Sequence, residues 1–424
     1  MKHQTRIVIA SLLGNLIEAF DMAICGLSSI YLAKYLIGDE SKGVFLIFLT
    51  FFAGYLARPI GATIMGILSD IYGRKIILAA SILGMGISTA AIGFIPSDSA
   101  IGIAAMVLLV ILRVIQSFSA GAEYLNSSAY LIESVGASNK GYLGSWVAFG
   151  ATAGMLIASF VFLGVSYLIK KHPELEWMIW RTPFVLALLG SSIGLYIRVC
   201  MPESIEYVRY YANHSRPNHI KLFINSFKYI TEHKLKCINT FLLSYLGVTI
   251  TFQIYIYAPS QAHVYGNFSD YQIIISNIVA LGTLLCFFPV FGMLSDRISR
   301  ERIVAMAGLG FMLFSQPFFY FLATDNFVAF LCSHILISIA ASAYSATVPV
   351  ILPELFPVNL RCTVLSVIYS SAASLAAGLA PLMSLILVEY TDNSVSPSWL
   401  LICLVVLALT FMRRYNKNVV KLTV

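Results

Sequence analysis

The sequence predicts an all-α membrane protein of twelve transmembrane helices in two pseudo-symmetric six-helix bundles. Three observations lead there. Hydrophobic residues fill 59% of 424 positions and charged residues 11%, with a mean hydropathy of +0.84, whereas soluble domains carry roughly 25% charged residues. Apolar runs of about 20 residues, each long enough to cross a hydrocarbon core, recur along the whole chain. A ten-residue pattern occurs twice, as GILSDIYGRK at 66–75 and GMLSDRISRE at 292–301, with glycine, Leu-Ser-Asp and arginine at the same spacing.

The start, MKHQTRIVIASLLGN, has no small-residue cleavage site closing a short apolar region, so it is read as a retained first span, 5–34. Further spans follow at 43–69, 75–95, 100–133, 139–169 and 177–200. After a polar stretch come 237–262, 270–295, 302–323, 327–353, 361–389 and 397–414. The expected organisation is a bundle over 1–201, a cytoplasmic linker over 202–235 and a second bundle over 236–424. Duplicated halves of this kind are a transporter architecture, with the substrate site between repeats near the midplane.

Orientation follows from the basic residues of the short loops. With the N-terminus inside, the cytoplasmic segments hold Lys2, Arg6, Arg74, Lys75, Lys140, the basic linker residues, Arg297, Arg300, Arg302, Arg361, Arg413, Arg414, Lys417 and Lys421. The outer loops hold Lys34, Lys42, Lys170 and Lys171. Both termini are therefore expected in the cytoplasm of a bacterial cell, with the chain in the cytoplasmic (inner) membrane. The net charge of +7 is explained by this topology, without a nucleic-acid partner. The seven cysteines form no metal-ligand spacing or paired framework and read as packing residues.

Glu18 and Asp21 lie in the apolar stretch GNLIEAFDMAICG. Three residues apart, they share one helix face, about 15 Å from the start of the span at 1.5 Å per residue. A charge at that depth is expensive unless it faces a cavity or a partner, and two neighbouring acids disfavour being ionised together. The candidate partners are Arg58 in the second span and Arg113 and Glu123 in the fourth. Glu18 or Asp21 is expected to bind a coupling proton, with Arg113 tuning its affinity and Glu123 contributing. A permanent ion-pair cluster joining spans one, two and four is the alternative.

Several motifs now carry a resemblance. GILSDIYGRK resembles the loop signature of the major facilitator superfamily. RVIQSFSAGAEY (113–124), ARPIGATIMG (57–66), MPES (201–204), PELFPVNLRCTVLS (353–366) and the first-span acids resemble its metabolite:proton symporter family. Ala19 and Phe20 between the first-span acids, Gly121-Ala122-Glu123 and Tyr369-Ser370 depart from the family pattern. The coiled-coil tail of some osmosensing relatives is absent.

The resemblance implies a gate in which the loop motif engages span eleven. Gly66 permits close helix approach, Asp70 accepts hydrogen bonds from a helix N-terminus, and Arg74 holds Asp70 or Glu133. Asp296 and Arg300 are the duplicate, and Glu133 with Lys140 parallels Glu354 with Arg361. Arg58, Gln116, Gln253, Tyr255, Asn277, Tyr344 and Tyr369 are the candidate solute contacts. Charge thus concentrates in the N-terminal half, with neutral polar and aromatic groups opposite.

No phosphate-cradling loop, zincin pattern or other enzyme constellation occurs, so neither a cofactor nor a metal is expected. The reading is a proton-coupled symporter, working as a monomer in the lipid bilayer, that imports a small carboxylate or zwitterion by alternating access. Alternatives are an importer of a ferric citrate-type chelate and a proton-driven drug or metabolite exporter. Span five (GSWVAFGATAGM, 144–155) lacks the Gly-Pro typical of exporters. A transport-dead sensor is a further rival, disfavoured because the coupling acids are present.

Overall fold

The computed structural model describes residues 2–37, 40–121, 123–134, 139–216, 218–265 and 268–423. Ala122 of the fourth-span motif and the side chains of Lys2, Lys42, Lys417 and Lys421 lie outside the described residues.

The described elements are helices, with no strand among the described residues. In order they are α1 (Lys2–Leu27), α2 (Ser29–Leu36), α3 (Glu40–Tyr72), α4 (Arg74–Gly93), α5 (Asp98–Ile101), α6 (Ala104–Ala120) and α7 (Glu123–Ser134). Then come α8 (Lys140–Lys171), α9 (Glu176–Ile179), α10 (Thr182–Val199), α11 (Ile205–Ala212), α12 (His219–Glu232) and α13 (Lys234–Phe252). A π-helical segment, Gln253–Tyr257, leads into α14 (Ala258–Tyr265), α15 (Asp270–Arg297), α16 (Arg300–Leu322), α17 (Phe327–Glu354), α18 (Arg361–Thr391) and α19 (Pro397–Thr423). Eleven segments among the described residues are long and apolar enough to cross a membrane, and α3, at 33 residues, has the length of the twelfth.

The structure differs from the sequence reading at two places. The first span divides at Ser28 into α1 and α2. The polar stretch after the sixth span contains two helices, α11 and α12. Ser204 starts α11 by accepting a bond from the Tyr207 amide at 3.2 Å.

Two compact units result, one of residues 1–135, 150–223 and 357–370, the other of 136–149, 224–356 and 371–424. Segments are thus exchanged: the start of α8 belongs to the second unit and the start of α18 to the first. The first unit packs Phe20, Ile24, Leu32, Leu109, Trp180 and Phe184 into one cluster, with Tyr35 stacked on Trp180 at 5.6 Å. The second buries Phe311, Phe318, Phe319 and Phe330, and Tyr344 donates to the Leu243 carbonyl at 2.7 Å. Met306, Leu309 and Leu313 of α16 are more than half exposed, forming an outward apolar stripe at helical spacing.

Candidate functional site

Within the first unit, α1, α3, α4, α6, α7 and α10 bring buried polar side chains together. Glu18 and Asp21 are 6% and 1% exposed. Glu18 Oε1 pairs with Arg58 Nη2 of α3 at 2.5 Å, a charge-assisted bond at the short end of the normal range. Asp21 forms no ion pair among the described residues. Its Oδ2 accepts from the Thr89 hydroxyl of α4 at 3.1 Å, and its Oδ1 has no hydrogen-bond partner.

A relay runs from Asp21 to Arg113. Gln116 Nε2 donates to Thr89 Oγ1 at 2.7 Å, and Arg113 Nη1 donates to Gln116 Oε1 at 2.6 Å. Because arginine only donates, it fixes the amide orientation of Gln116, which in turn fixes Thr89 as donor to Asp21. Arg113 is thereby connected to the acid through two neutral side chains.

Glu123 has a different partner from those expected. Its Oε1 pairs with Nη2 of Arg198 of α10, and it accepts from the Ser81 hydroxyl of α4. Gly14 makes room for this pair, since a Cβ there would lie 2.0 Å from Arg198 Nη2 and 2.8 Å from Glu123 Oε1. Sequence reasoning missed Arg198. Its signal was an arginine inside an apolar run, four residues before Pro202 of the MPES motif. On the neighbouring turn of α7, Asn126 accepts from Ser366 of α18 at 3.1 Å, while Tyr124 stacks on Tyr369 at 5.4 Å.

The gating candidates form two matching arrangements. Asp70 accepts from the Cys362 and Thr363 amides at 3.3 and 2.8 Å and from the Thr363 hydroxyl at 2.7 Å, so it caps the first turn of α18. Arg74 bridges Asp70 and Glu133, each at 3.1 Å, and donates to the Val358 carbonyl at 2.7 Å. Arg361 pairs with Glu133 at 2.8 Å and with Glu206 at 3.0 Å. In the second unit, Asp296 accepts from the Gly141 and Tyr142 amides at 2.7 and 2.8 Å, capping α8 in the same way. Glu354 there joins Arg300 and Lys140, the latter at 3.4 Å. Gly66 lies against the Thr363 backbone, where a Cβ would approach to 2.9 Å.

The remaining candidates lie in the second unit. Gln253 donates to Ser384 at 2.8 Å and Tyr255 to Ser338 at 2.9 Å, both from the π-helical segment, a distortion frequent at functional sites. Tyr344 is buried, and Asn277 is half-buried with its Oδ1 lacking a partner. A titratable group that the sequence reading passed over, His334 of α17, bonds Ser276 at 2.9 Å and faces the Tyr255 ring at 5.8 Å.

The family model of the Major Facilitator Superfamily matches residues 12–381, and again 240–420. The chain belongs to the major facilitator superfamily. This superfamily member is 30% identical over 408 residues to the glycine betaine/proline/ectoine/pipecolic acid transporter OusA of Dickeya dadantii, covering 95% of this chain and 81% of that protein. It is 30% identical over 409 residues, with the same coverage, to the proline/betaine transporter of Escherichia coli K12. These relatives agree with the resemblance to the metabolite:proton symporter family. Among solved structures, the proton:xylose symporter XylE bound to 6-bromo-6-deoxy-D-glucose shares the fold, with a TM-score of 0.81 at 19% identity, covering 98% of this chain and 96% of that one. The protein is a multi-pass membrane transporter of small organic solutes and not an enzyme.

Proposed function

We propose that this transporter is a proton-coupled symporter that imports a small zwitterion or carboxylate by alternating access across a bacterial cytoplasmic membrane. The observation that carries the reading is Asp21. Glu18, Asp70, Glu123 and Glu133 each have an arginine partner, whereas Asp21 is buried with no ion pair among the described residues, its Oδ1 available to hold a proton. A neutral carboxyl is far cheaper in that setting than a carboxylate. Arg58 is held by Glu18, and a solute carboxylate that takes Arg58 would free Glu18 and so link solute to proton. The relay from Arg113 sets how tightly Asp21 holds the proton, and the Glu123–Arg198 pair orders α7 against α10. Gln116, Tyr369 and the neutral groups of the second unit, Gln253, Tyr255, Asn277 and Tyr344, contact the solute. The Asp70 and Asp296 caps, with Arg74, Glu133, Arg300, Glu354 and Arg361, break and re-form as the carrier switches. The similarity to proline/betaine transporters supports a zwitterion.

The test is solute-induced proton movement in proteoliposomes, followed with a pH-sensitive dye. Proline, glycine betaine, mono- to tricarboxylates and ferric citrate-type chelates form the panel. Asp21→Asn, which keeps the shape, is expected to abolish proton movement with the protein still folded. Undiminished solute-driven proton flux in that variant refutes the assignment of Asp21. Proton efflux driven by lipophilic cations, with silence across the panel, assigns export instead.

A further inference from the structure

We infer that His334 is a positioning residue for the π-helical segment: inside the second unit it holds Tyr255 in place, and through Tyr255 it sets solute affinity. The effect on affinity rests on the solute contact of Tyr255 proposed above. A π turn holds one residue more than an α turn and is rare. Here the Ala258 amide bonds the Gln253 carbonyl, five residues back, so the side chains of the segment leave α-helical register. Its sequence, QIYIY, has neither proline nor glycine, so contacts with other helices must hold the distortion. Gln253 supplies one, to Ser384. Tyr255 supplies the other, to α17. Its hydroxyl donates to Ser338 at 2.9 Å, while its ring stacks on the imidazole of His334 at 5.8 Å and 27°. His334 and Ser338 are four residues apart and share one face of α17, so they grip Tyr255 at both ends.

An imidazole can hold Tyr255 only if it is itself fixed, and its surroundings fix it. His334 is fully buried, flanked by the rings of Phe318 at 5.0 Å and Phe330 at 5.6 Å. Its Nδ1 lies 2.9 Å from Ser276 Oγ of α15, and its Nε2 has no hydrogen-bond partner. If Ser276 donates to Nδ1, the Nε2 proton alone is left unsatisfied. If Nδ1–H donates instead, the Nε2 lone pair and the serine proton are both unsatisfied. The first arrangement is therefore assigned, and it gives a neutral ring held in one plane and one tautomer. An apolar side chain of similar volume would avoid the unpaired Nε2–H, so packing alone does not account for an imidazole here. What the imidazole adds is an acceptor for Ser276 and a flat, oriented face for Tyr255.

The test compares the full-length protein in lipid nanodiscs with His334→Leu, Ser338→Ala and a packing control, Val405→Ala, which truncates a buried side chain of α19 facing Gly308 of α16. Hydrogen exchange read by mass spectrometry follows amides 253–262 with no solute present. Exchange there is expected to be faster in His334→Leu and Ser338→Ala, and unchanged in Val405→Ala. Uptake of glycine betaine into proteoliposomes is the second readout. Both grip variants should raise its half-saturation concentration by about three- to tenfold, the size of one lost aromatic pair or hydrogen bond, with the maximal rate within about twofold of the parent. Unchanged exchange across 253–262 in His334→Leu overturns the proposal, as does faster exchange that Val405→Ala reproduces. Faster exchange confined to the grip variants with half-saturation unmoved supports the positioning role and refutes the solute contact of Tyr255 instead.

Discussion

Replacing Glu123 by Gln tests whether its contact with Arg198 is an ion pair on which the first unit depends. Arg198 is 2% exposed and Glu123 is fully buried. The Nε and Nη1 of Arg198 have no partner, so its charge is balanced through Nη2 and Glu123. Neutralising the acid strands a guanidinium among apolar helices, a perturbation that costs about 3–5 kcal/mol. For a chain of 424 residues the melting temperature should fall by about 3–6 °C. Arg198→Met should be comparably damaging, and the Glu123→Gln/Arg198→Met double variant should recover at least about 2 kcal/mol relative to the sum. Thermal unfolding in detergent, followed with a thiol-reactive dye, reads this directly, because Cys25, Cys237 and Cys362 are buried while Cys200, Cys286, Cys332 and Cys403 give the baseline. A Glu123→Gln protein melting within about 2 °C of the parent, or strictly additive singles, would refute the ion-pair account.

Gly14→Ala places a methyl 2.0 Å from Arg198 Nη2 and is expected to cost about 1–3 kcal/mol through overpacking, measured by the same melt. Gly141→Ala should cost a similar amount, since its Cβ would meet the Gly292 carbonyl at 2.6 Å, and limited proteolysis should then cut near residue 141 sooner. Gln116→Leu removes the bonds to Thr89 and Arg113. Solute-driven proton flux should fall by about tenfold with the melting temperature within a few degrees of the parent, whereas a purely structural role would lower both together.

What the chain revealed on reading depended on whether a charge stood out from its surroundings. Glu18, Asp21 and Arg58 interrupt apolar runs, so the need to bury them among partners was legible in the sequence, and all three are buried. Arg198 also sits in an apolar run, but so close to the basic linker that a positive-inside count absorbs it, and only folding brings it to Glu123. The break at Ser28 lacks proline, so helical periodicity runs through it without a mark. His334 drew no attention because a neutral imidazole adds nothing to a charge count. In α12 the apolar positions were present at helical spacing, yet the interleaved lysines and asparagine made the stretch look like a loop. The relay Arg113–Gln116–Thr89–Asp21 spans three helices, and no pattern within any one of them announces it.

The two aspartate caps have a consequence for how their surroundings can change over evolutionary time. Asp70 and Asp296 grip main-chain amides, at Cys362 and Thr363 in one case and at Gly141 and Tyr142 in the other. Every residue except proline supplies that amide, so the receiving positions are free to drift, apart from the need for a small residue at 141 and for the hydroxyl that Thr363 also donates to Asp70. The aspartates have no such freedom, because only their carboxylates reach both donors. An ancestral duplication would therefore leave a visible scar on one side of each grip only. Leu-Ser-Asp persists in both ten-residue copies, while Gly-Tyr and Cys-Thr, performing the same task, share nothing that a sequence comparison detects.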